Sequence, residues 1–435
     1  MFQTIRGTFD VLPATHESGG SRVPGTPAWR HVEAVVRDVM ARHAFEEIRT
    51  PALEPVELVA RGVGATTDIV TKEMFTVERT RETYVLRPEV TAPVMRAYLQ
   101  HHLGARGGAT RLFYLGACFR AERPQKGRFR QFHQFGTELL GTDDARADAE
   151  VIANLVAVYA AFGVTGTRLR LNTLGDAADR PAFRDALREH LAPHAADLSE
   201  TSRQRLASNP LRLLDTKDAR ERALLADAPR LTDFVGPEAM DHYHALKAYL
   251  DALGIAYVED PTLVRGLDYY TRTVFELESD ALGAQSALGA GGRYDGLAEA
   301  VGSKAPVPAV GYAAGIERLF LALEAQGVAL PEAARPDACL VALGDAAERR
   351  ALVLARDLRA AGLTVDVALA SPGGGRSMKA QMKAAARSGA RHAVLLGDDE
   401  LSRGAAGVRD LDAGTQTDVP LDALAGALTR DSGNG

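Results

Sequence analysis

Between Arg120 and Glu138 the chain reads RAERPQKGRFRQFHQFGTE, and these residue types suit the recognition of phosphate and of flat rings. Five cations from Arg120 to Arg130 face a single acid, Glu122. Such a cluster is costly to hold together unless an anion binds among them. Phe129, Phe132 and Phe135 interleave with the cations. Rings that stack on a base beside guanidinium groups that clamp phosphates suit a nucleotide. Taken alone, the segment also fits an exposed hairpin with a solvated basic tip. The apolar run LFYLGACF before it and the run closed by Glu138 after it predict two antiparallel strands joined by a flexible cationic loop.

Other segments must position that hairpin. A helix is expected over 29–43, then a strand in EEIRTPALEP, a strand over 84–87, and a helix in TAPVMRAYLQHHL opened by Thr91 with Pro93 in its first turn. The span 151–162 is apolar nearly all round, which predicts a buried helix. Composition shifts near Leu174, and to about Gly254 the chain is charged and Ala-rich, which reads as a helical insertion. Strand patterns resume at IAYVEDPTLV and TRTVFELES, with Tyr269 and Tyr270 expected to alternate in a strand so that at most one faces a pocket. The stretch GAGGRYDGL fits a bulge or turn; it lacks the G-x-x-x-x-G-K-[ST] pattern of a P-loop. VPAVGYAAGIERLFLALEAQG reads as a strand running into a helix. After a linker at 329–336, strands and helices alternate as βαβαβ, which predicts a small parallel-sheet α/β domain over 337–435.

Bulk properties bound the reading. At 435 residues the chain exceeds a single core. The apolar share of 46% and charged share of 25% are those of an ordinary globular protein. A net charge of -6 does not attract nucleic acid as a whole, so any such binding must use local basic patches. Two distant cysteines, Cys118 and Cys339, give neither a disulfide framework nor a zinc spacing and fit a reducing compartment. MFQTIRGTFDVLP has no apolar signal region and no run reaches membrane-span length, so a cytoplasmic location without membrane contact is expected. His101, His102 and His133 lack ligand spacing, so no protein metal site is expected.

In their order along the chain these segments resemble the histidyl-tRNA synthetases, a family of class II aminoacyl-tRNA synthetases. RGTFDVLP is similar to the family's opening segment, and IRTPALEPVELVARGVG to motif 1, its dimer-interface segment. LRPEVTAP is similar to the amino-acid-binding segment, FRAERPQKGRFRQFHQFGTE to motif 2, and VRGLDYYTRTVFE to the histidine-specific loop. GAGGRYDGL and AVGYAAGIERL resemble the glycine strand and motif 3. The resemblance implies an α+β catalytic core built on an antiparallel sheet, over 1–328 and interrupted by the insertion at 174–254, with a C-terminal anticodon-binding domain. It implies activation of L-histidine by ATP, accompanied by Mg2+, then transfer to the 3′ end of histidine tRNA, by a homodimer.

The same resemblance assigns residues. Arg120 matches the arginine on the α-phosphate; Arg265 matches the family arginine that touches that phosphate and the substrate carboxylate. Arg128 and Arg318 match residues near the γ-phosphate and adenine, with Phe132 stacking on the adenine face opposite Arg318. Glu122 reads the adenine edge or helps hold magnesium; the sequence leaves both open. Glu89 and Thr91, assisted by Gln134, match the receivers of the α-ammonium group. Glu138 and Tyr270, with Tyr269 beside them, match the partners of the two imidazole nitrogens. Arg123 and Gln125 lie where the family meets the acceptor end of tRNA. Arg376, Lys379, Lys383 and Arg387 share one helical face in the anticodon-binding segment. The chain departs from the family at Ala121, Val90 and Ala290, none of them a charged catalytic position. A synthetase-like regulatory subunit of ATP phosphoribosyltransferase is the main alternative; such subunits generally lack the extra domain and several of these residues. A catalytically silent RNA-binding module is the second.

Overall fold

The computed structural model describes residues 2–18, 20–65, 67–80, 82–125, 127–216, 218–283, 286–369 and 377–431. The chain divides into two compact units, Met1–Glu332 and Ala333–Gly435.

The first unit is built on one eight-stranded sheet. In chain order its strands are β1 (Glu46–Glu47), β2 (Thr110–Phe119), β3 (Gln131–Leu140), β4 (Thr167–Thr173), β5 (Tyr257–Glu259), β6 (Thr271–Ser279), β7 (Ala287–Arg293) and β8 (Ala309–Gly315). Their spatial order is β5-β4-β6-β7-β8-β3-β2-β1. The six central strands are antiparallel, and a short parallel strand closes each edge. β2 and β3 form the expected hairpin, with Phe119 opposite Gln131 and Leu112 opposite Glu138.

The rear face of the sheet carries a thick apolar layer. Helix Thr26–Arg42 turns Trp29, Val32, Val36, Val39 and Met40 onto it, a spacing of three and four that makes one stripe. Helices Ala145–Ala161, Pro237–Ala252 and Ile316–Ala325 complete the layer. Within 174–254, the last helix therefore belongs to the rear core, whereas Phe183, Leu187 and Leu191 of Arg180–Leu191 pack on the front side. A buried ion pair pins helix Ala145–Ala161 to β7. The Arg293 and Asp148 side chains are both fully buried and bonded to each other, Arg293 Nη1 donates to Thr142 O at 2.9 Å, and His242 Nε2 stands 3.3 Å from Asp148 Oδ1.

Several elements differ from the sequence reading. EEIRTPALEP is not one strand: Glu46–Glu47 joins the large sheet, and Leu53–Pro55 joins a three-stranded sheet with Phe75–Arg79 and Glu82–Leu86. Arg87 is the physical reason. Its Nη1 donates to Thr50 O at 2.7 Å and to Thr50 Oγ1 at 2.8 Å, while Nε donates to Ala117 O at 2.9 Å, so the chain between the two strands wraps a buried guanidinium. GAGGR is a strand, as its resemblance to the glycine strand implies, and not the bulge or turn that its glycines alone would fit. Tyr269 lies in a turn and the strand begins only at Thr271, so the two tyrosines do not alternate; their rings pack together with centroids 4.6 Å apart.

The second unit has strands β9 (Ala338–Ala342), β10 (Val365–Val367), β11 (His392–Leu396), β12 (Ala405–Asp410) and β13 (Gln416–Pro420), ordered β10-β9-β11-β12-β13. The first three in that order are parallel, as the βαβαβ pattern predicts. The sheet is mixed, however: β12 and β13 add an antiparallel hairpin. Asp410 Oδ1 accepts from the backbone of Asp412 and Ala413 at 2.8 Å each and Gly414 takes a positive φ, which together make the turn.

Candidate active site

Strand alternation sorts β3 onto two faces: Phe132, Gln134 and Glu138 at the front, His133 and Phe135 at the rear. Opposite Glu138 across the sheet stand Gly311, Gly292 and then Val274. The next row holds Gly136, Ala313, Ala290 and Glu276. The front face between Glu138 and Glu276 is therefore floored by glycine and alanine. Two of the glycines are sterically required: a Cβ on Gly311 would lie 1.8 Å from Glu138 Oε2, and one on Gly292 would lie 2.8 Å from the Tyr270 ring.

At one end of this trough lies a buried acid among tyrosines. Glu138 has no exposed surface. Thr91 Oγ1 donates to its Oε1 at 2.6 Å, and the Tyr294 hydroxyl donates to Oε2. Burial dominates and pushes the carboxyl up to about 8, although both hydrogen bonds pull the other way. The Tyr269 ring lies against Tyr270 and, at 5.5 Å, against Tyr294. Glu89, also buried, caps helix Thr91–Gln100: its carboxylate accepts from Thr91 N at 2.7 Å and Ala92 N at 3.0 Å. Burial raises its pKa, opposed by those bonds and by Arg120. Gln134 Oε1 accepts from Cys118 Sγ at 3.2 Å.

At the other end are the guanidinium groups. Arg120 Nε donates to Pro88 O at 3.0 Å, and its Cζ lies 5.2 Å from the Phe132 ring centre. Arg265 is bonded to Glu276 of β6. Arg318 Nε donates to Ala287 O at 2.5 Å, and burial followed by the nearby Arg128 charge depresses its pKa. Arg128 Nη1 donates to Glu122 Oε2 at 3.2 Å. Arg123 and Gln125 are exposed in the same loop. The loop is tied down at its base, where Arg130 N donates to Gly7 O at 2.7 Å.

The two ends form one site. Arg120 bonds Pro88 O next to Glu89, Thr91 is bonded to both Glu89 and Glu138, and Tyr294 and Tyr269 carry the cluster on to Tyr270. Glu276, which holds Arg265, shares the strand row of Gly136, two residues from Glu138. Glu276 also acts on the ionisation of Arg318. Two buried polar atoms here, Arg265 Nε and the Tyr114 hydroxyl, have no hydrogen-bond partner among the described residues.

Comparisons with known proteins identify the family. A profile described as histidyl-tRNA synthetase matches residues 25–319, and one described as anticodon binding domain matches residues 337–431. The chain belongs to the histidyl-tRNA synthetase family. It is 44% identical over 431 residues to a histidine–tRNA ligase of Prosthecochloris aestuarii, covering 98% of this chain and 99% of that one. It is 47% identical over 415 residues to one of Synechococcus elongatus, covering 95% and 92%. Among solved structures it resembles apo histidyl-tRNA synthetase of S. aureus, with a TM-score of 0.79, 35% identity, and coverage of 98% of this chain and 100% of that one.

Sequence reasoning passed over several residues of the site. Tyr294 holds Glu138, Glu276 holds Arg265, and Glu73 O accepts from Ala121 N at 2.7 Å, between Arg120 and Glu122 in sequence. Glu317 binds the rear of β3, accepting from His133 N at 2.9 Å and contacting His133 Nδ1 at 2.9 Å. Tyr294 and Glu276 stood inside quoted motifs, but neither declares itself without knowledge of which strands are neighbours. In the second unit Lys379 and Lys383 are exposed on helix Met378–Arg387, whose opposite side buries Gln381 and Ala385. Arg376 falls outside the described residues. No helix among the described residues is long and apolar enough to cross a membrane.

Proposed function

We propose that this chain joins L-histidine to histidine tRNA in two steps on the front face of the large sheet. In the first, a carboxylate oxygen of histidine attacks the α-phosphorus of ATP and pyrophosphate leaves. In the second, a 3′-terminal ribose hydroxyl of the tRNA attacks the adenylate carbonyl and AMP leaves. Arg120 and Arg265 face the α-phosphoryl oxygens, where negative charge builds; guanidinium groups hold that charge in place without being able to lose their own. Arg128 and Arg318 take the outer phosphates and the adenine, with Phe132 stacking on the base. Glu89, Thr91 and Gln134 receive the α-ammonium group. Glu138 and Tyr270, beside Tyr269, take the imidazole nitrogens; each Glu138 oxygen accepts one hydroxyl here and keeps capacity for another donor. Magnesium arrives with ATP, and Glu73 and Glu122, close enough to act on each other, fit an ion held chiefly through phosphates. Arg123 and Gln125 meet the tRNA acceptor end, and Lys379 and Lys383, with Arg376, meet the anticodon loop.

In this reading residues 1–328 form the catalytic core with its insertion at 174–254, 329–336 the linker, and 337–435 the anticodon-binding domain. The protein works as a cytoplasmic homodimer; Leu53 and Val77, left exposed on the small sheet beside the motif 1 helix Val56–Val63, support that interface.

One observation carries the proposal: Arg120, bonded beside Glu89, and Arg265, bonded to Glu276 on the front of β6, come from separate loops to the trough that holds Glu138 among tyrosines. The test is histidine-dependent ATP–pyrophosphate exchange followed by charging of histidine tRNA. Activity in both is the expected result, and Arg265→Met should cut exchange by on the order of a hundredfold or more. Absence of exchange in the intact chain would instead favour the regulatory-subunit reading.

A further inference from the structure

Behind the sheet, on the side away from Glu138, lies a cavity of about 360 Å³, within the size range of small-molecule sites. Phe9, Trp29, Phe129 and Phe320 supply aromatic walls. Trp29 is edge-on to Phe320 with centroids 5.1 Å apart, and Phe9 to Phe129 at 4.8 Å. Among the described residues, the charged members of the wall are three carboxylates, Glu317, Glu324 and Glu332, and one cation, Arg22. Arg22 spends its charge on Glu324 at 3.3 Å, and Glu317 is engaged by His133. The balance is acidic, and ring faces attract cations while repelling anions. We propose that this rear cavity is a second binding site, for a flat aromatic molecule carrying a positive charge.

The site goes beyond the aminoacylation reading and is separate from the reaction trough. Alternation along β3 puts His133, which the Trp29 ring touches at 4.8 Å, on the opposite face from Phe132, Gln134 and Glu138. Neither histidine nor ATP suits the cavity, since one brings a carboxylate and the other phosphates to an acidic wall. The cavity nevertheless borders the motif 2 loop: Gly127 and Phe129, on either side of Arg128, line it, as does Glu317, the neighbour of Arg318.

Trp29 is the only tryptophan in the chain, so its emission reports on this wall alone. Benzamidine, a planar aromatic cation, should change that emission saturably with a Kd on the order of 1 mM or tighter. Benzoate, its anionic counterpart, should bind at least tenfold more weakly. The double variant Glu324→Gln, Glu332→Gln should weaken benzamidine about fivefold while leaving pyrophosphate exchange and the melting temperature unchanged. Saturating histidine should not displace the probe. An unchanged emission, equal binding of benzoate, or displacement by histidine would each overturn the proposal, and none of these outcomes bears on whether the chain aminoacylates tRNA.

Discussion

Glu138 is an acid with no exposed surface, and its burial governs how it titrates. Its folded pKa of about 8 lies above its ordinary value of 4.5, so between those limits the native state binds more protons than the unfolded chain. That contribution to stability is present at low pH and is lost as pH rises through the window. Glu138→Gln should therefore flatten the fall in melting temperature between about pH 4.5 and 8, which thermal scans across buffers would measure. For function, Glu138→Ala should raise the Michaelis constant for histidine by roughly 10- to 100-fold and leave that for ATP nearly unchanged, because it strands polar atoms worth about 1–3 kcal/mol each on one ligand alone. Tyr294→Phe removes one donor to the same carboxylate and should produce a smaller loss of the same kind, about fivefold, in steady-state kinetics. At this scale charge and ring type drew notice to the segment from Arg120 to Glu138, but Arg265 and Glu138 in isolation read as a surface cation and a strand-end acid and were singled out only by the family resemblance. The sequence was silent for Tyr294 and Glu276, whose roles arise only when β6, β7, β8 and β3 lie side by side.

Elements carry the site through what they omit as much as through what they present. Gly311 stands directly across from Glu138, and no side chain fits between them. Gly311→Ala would press a methyl group into the carboxylate and into Thr137 O, 2.4 Å from the new carbon. The expected cost is about 1–3 kcal/mol, seen as a lower denaturation midpoint together with a loss of histidine affinity. The β2–β3 hairpin was legible because apolar runs flank a basic loop. β4 was not, since Arg168 and Arg170 break its apolar pattern; in the fold they pair with Glu278 on β6. The split of EEIRTPALEP was hidden for a similar reason: the partner that bends it, Arg87, lies far along the chain.

For the whole molecule, a net charge of -6 leaves tRNA binding to local cations. Lys379 and Lys383 are exposed together on one helix face. Lys379→Ala with Lys383→Ala should raise the Michaelis constant for tRNA and reduce the salt slope of tRNA binding by about two, measured by charging at graded salt, with pyrophosphate exchange unaltered. The alternation of strands and helices disclosed the second unit in outline; its antiparallel hairpin was missed because DLDAGT was not read as a turn. The Arg293–Asp148 pair, sealed inside the first unit, has a consequence for how this protein can vary. Replacing either partner by an apolar residue removes the central bond of a buried network, leaving Arg293 to Asp295 or Asp148 to His242, at a cost of up to about 3–5 kcal/mol. Sequence drift at these two sites is thus tethered to two further positions, Asp295 and His242, that share the same knot of charge.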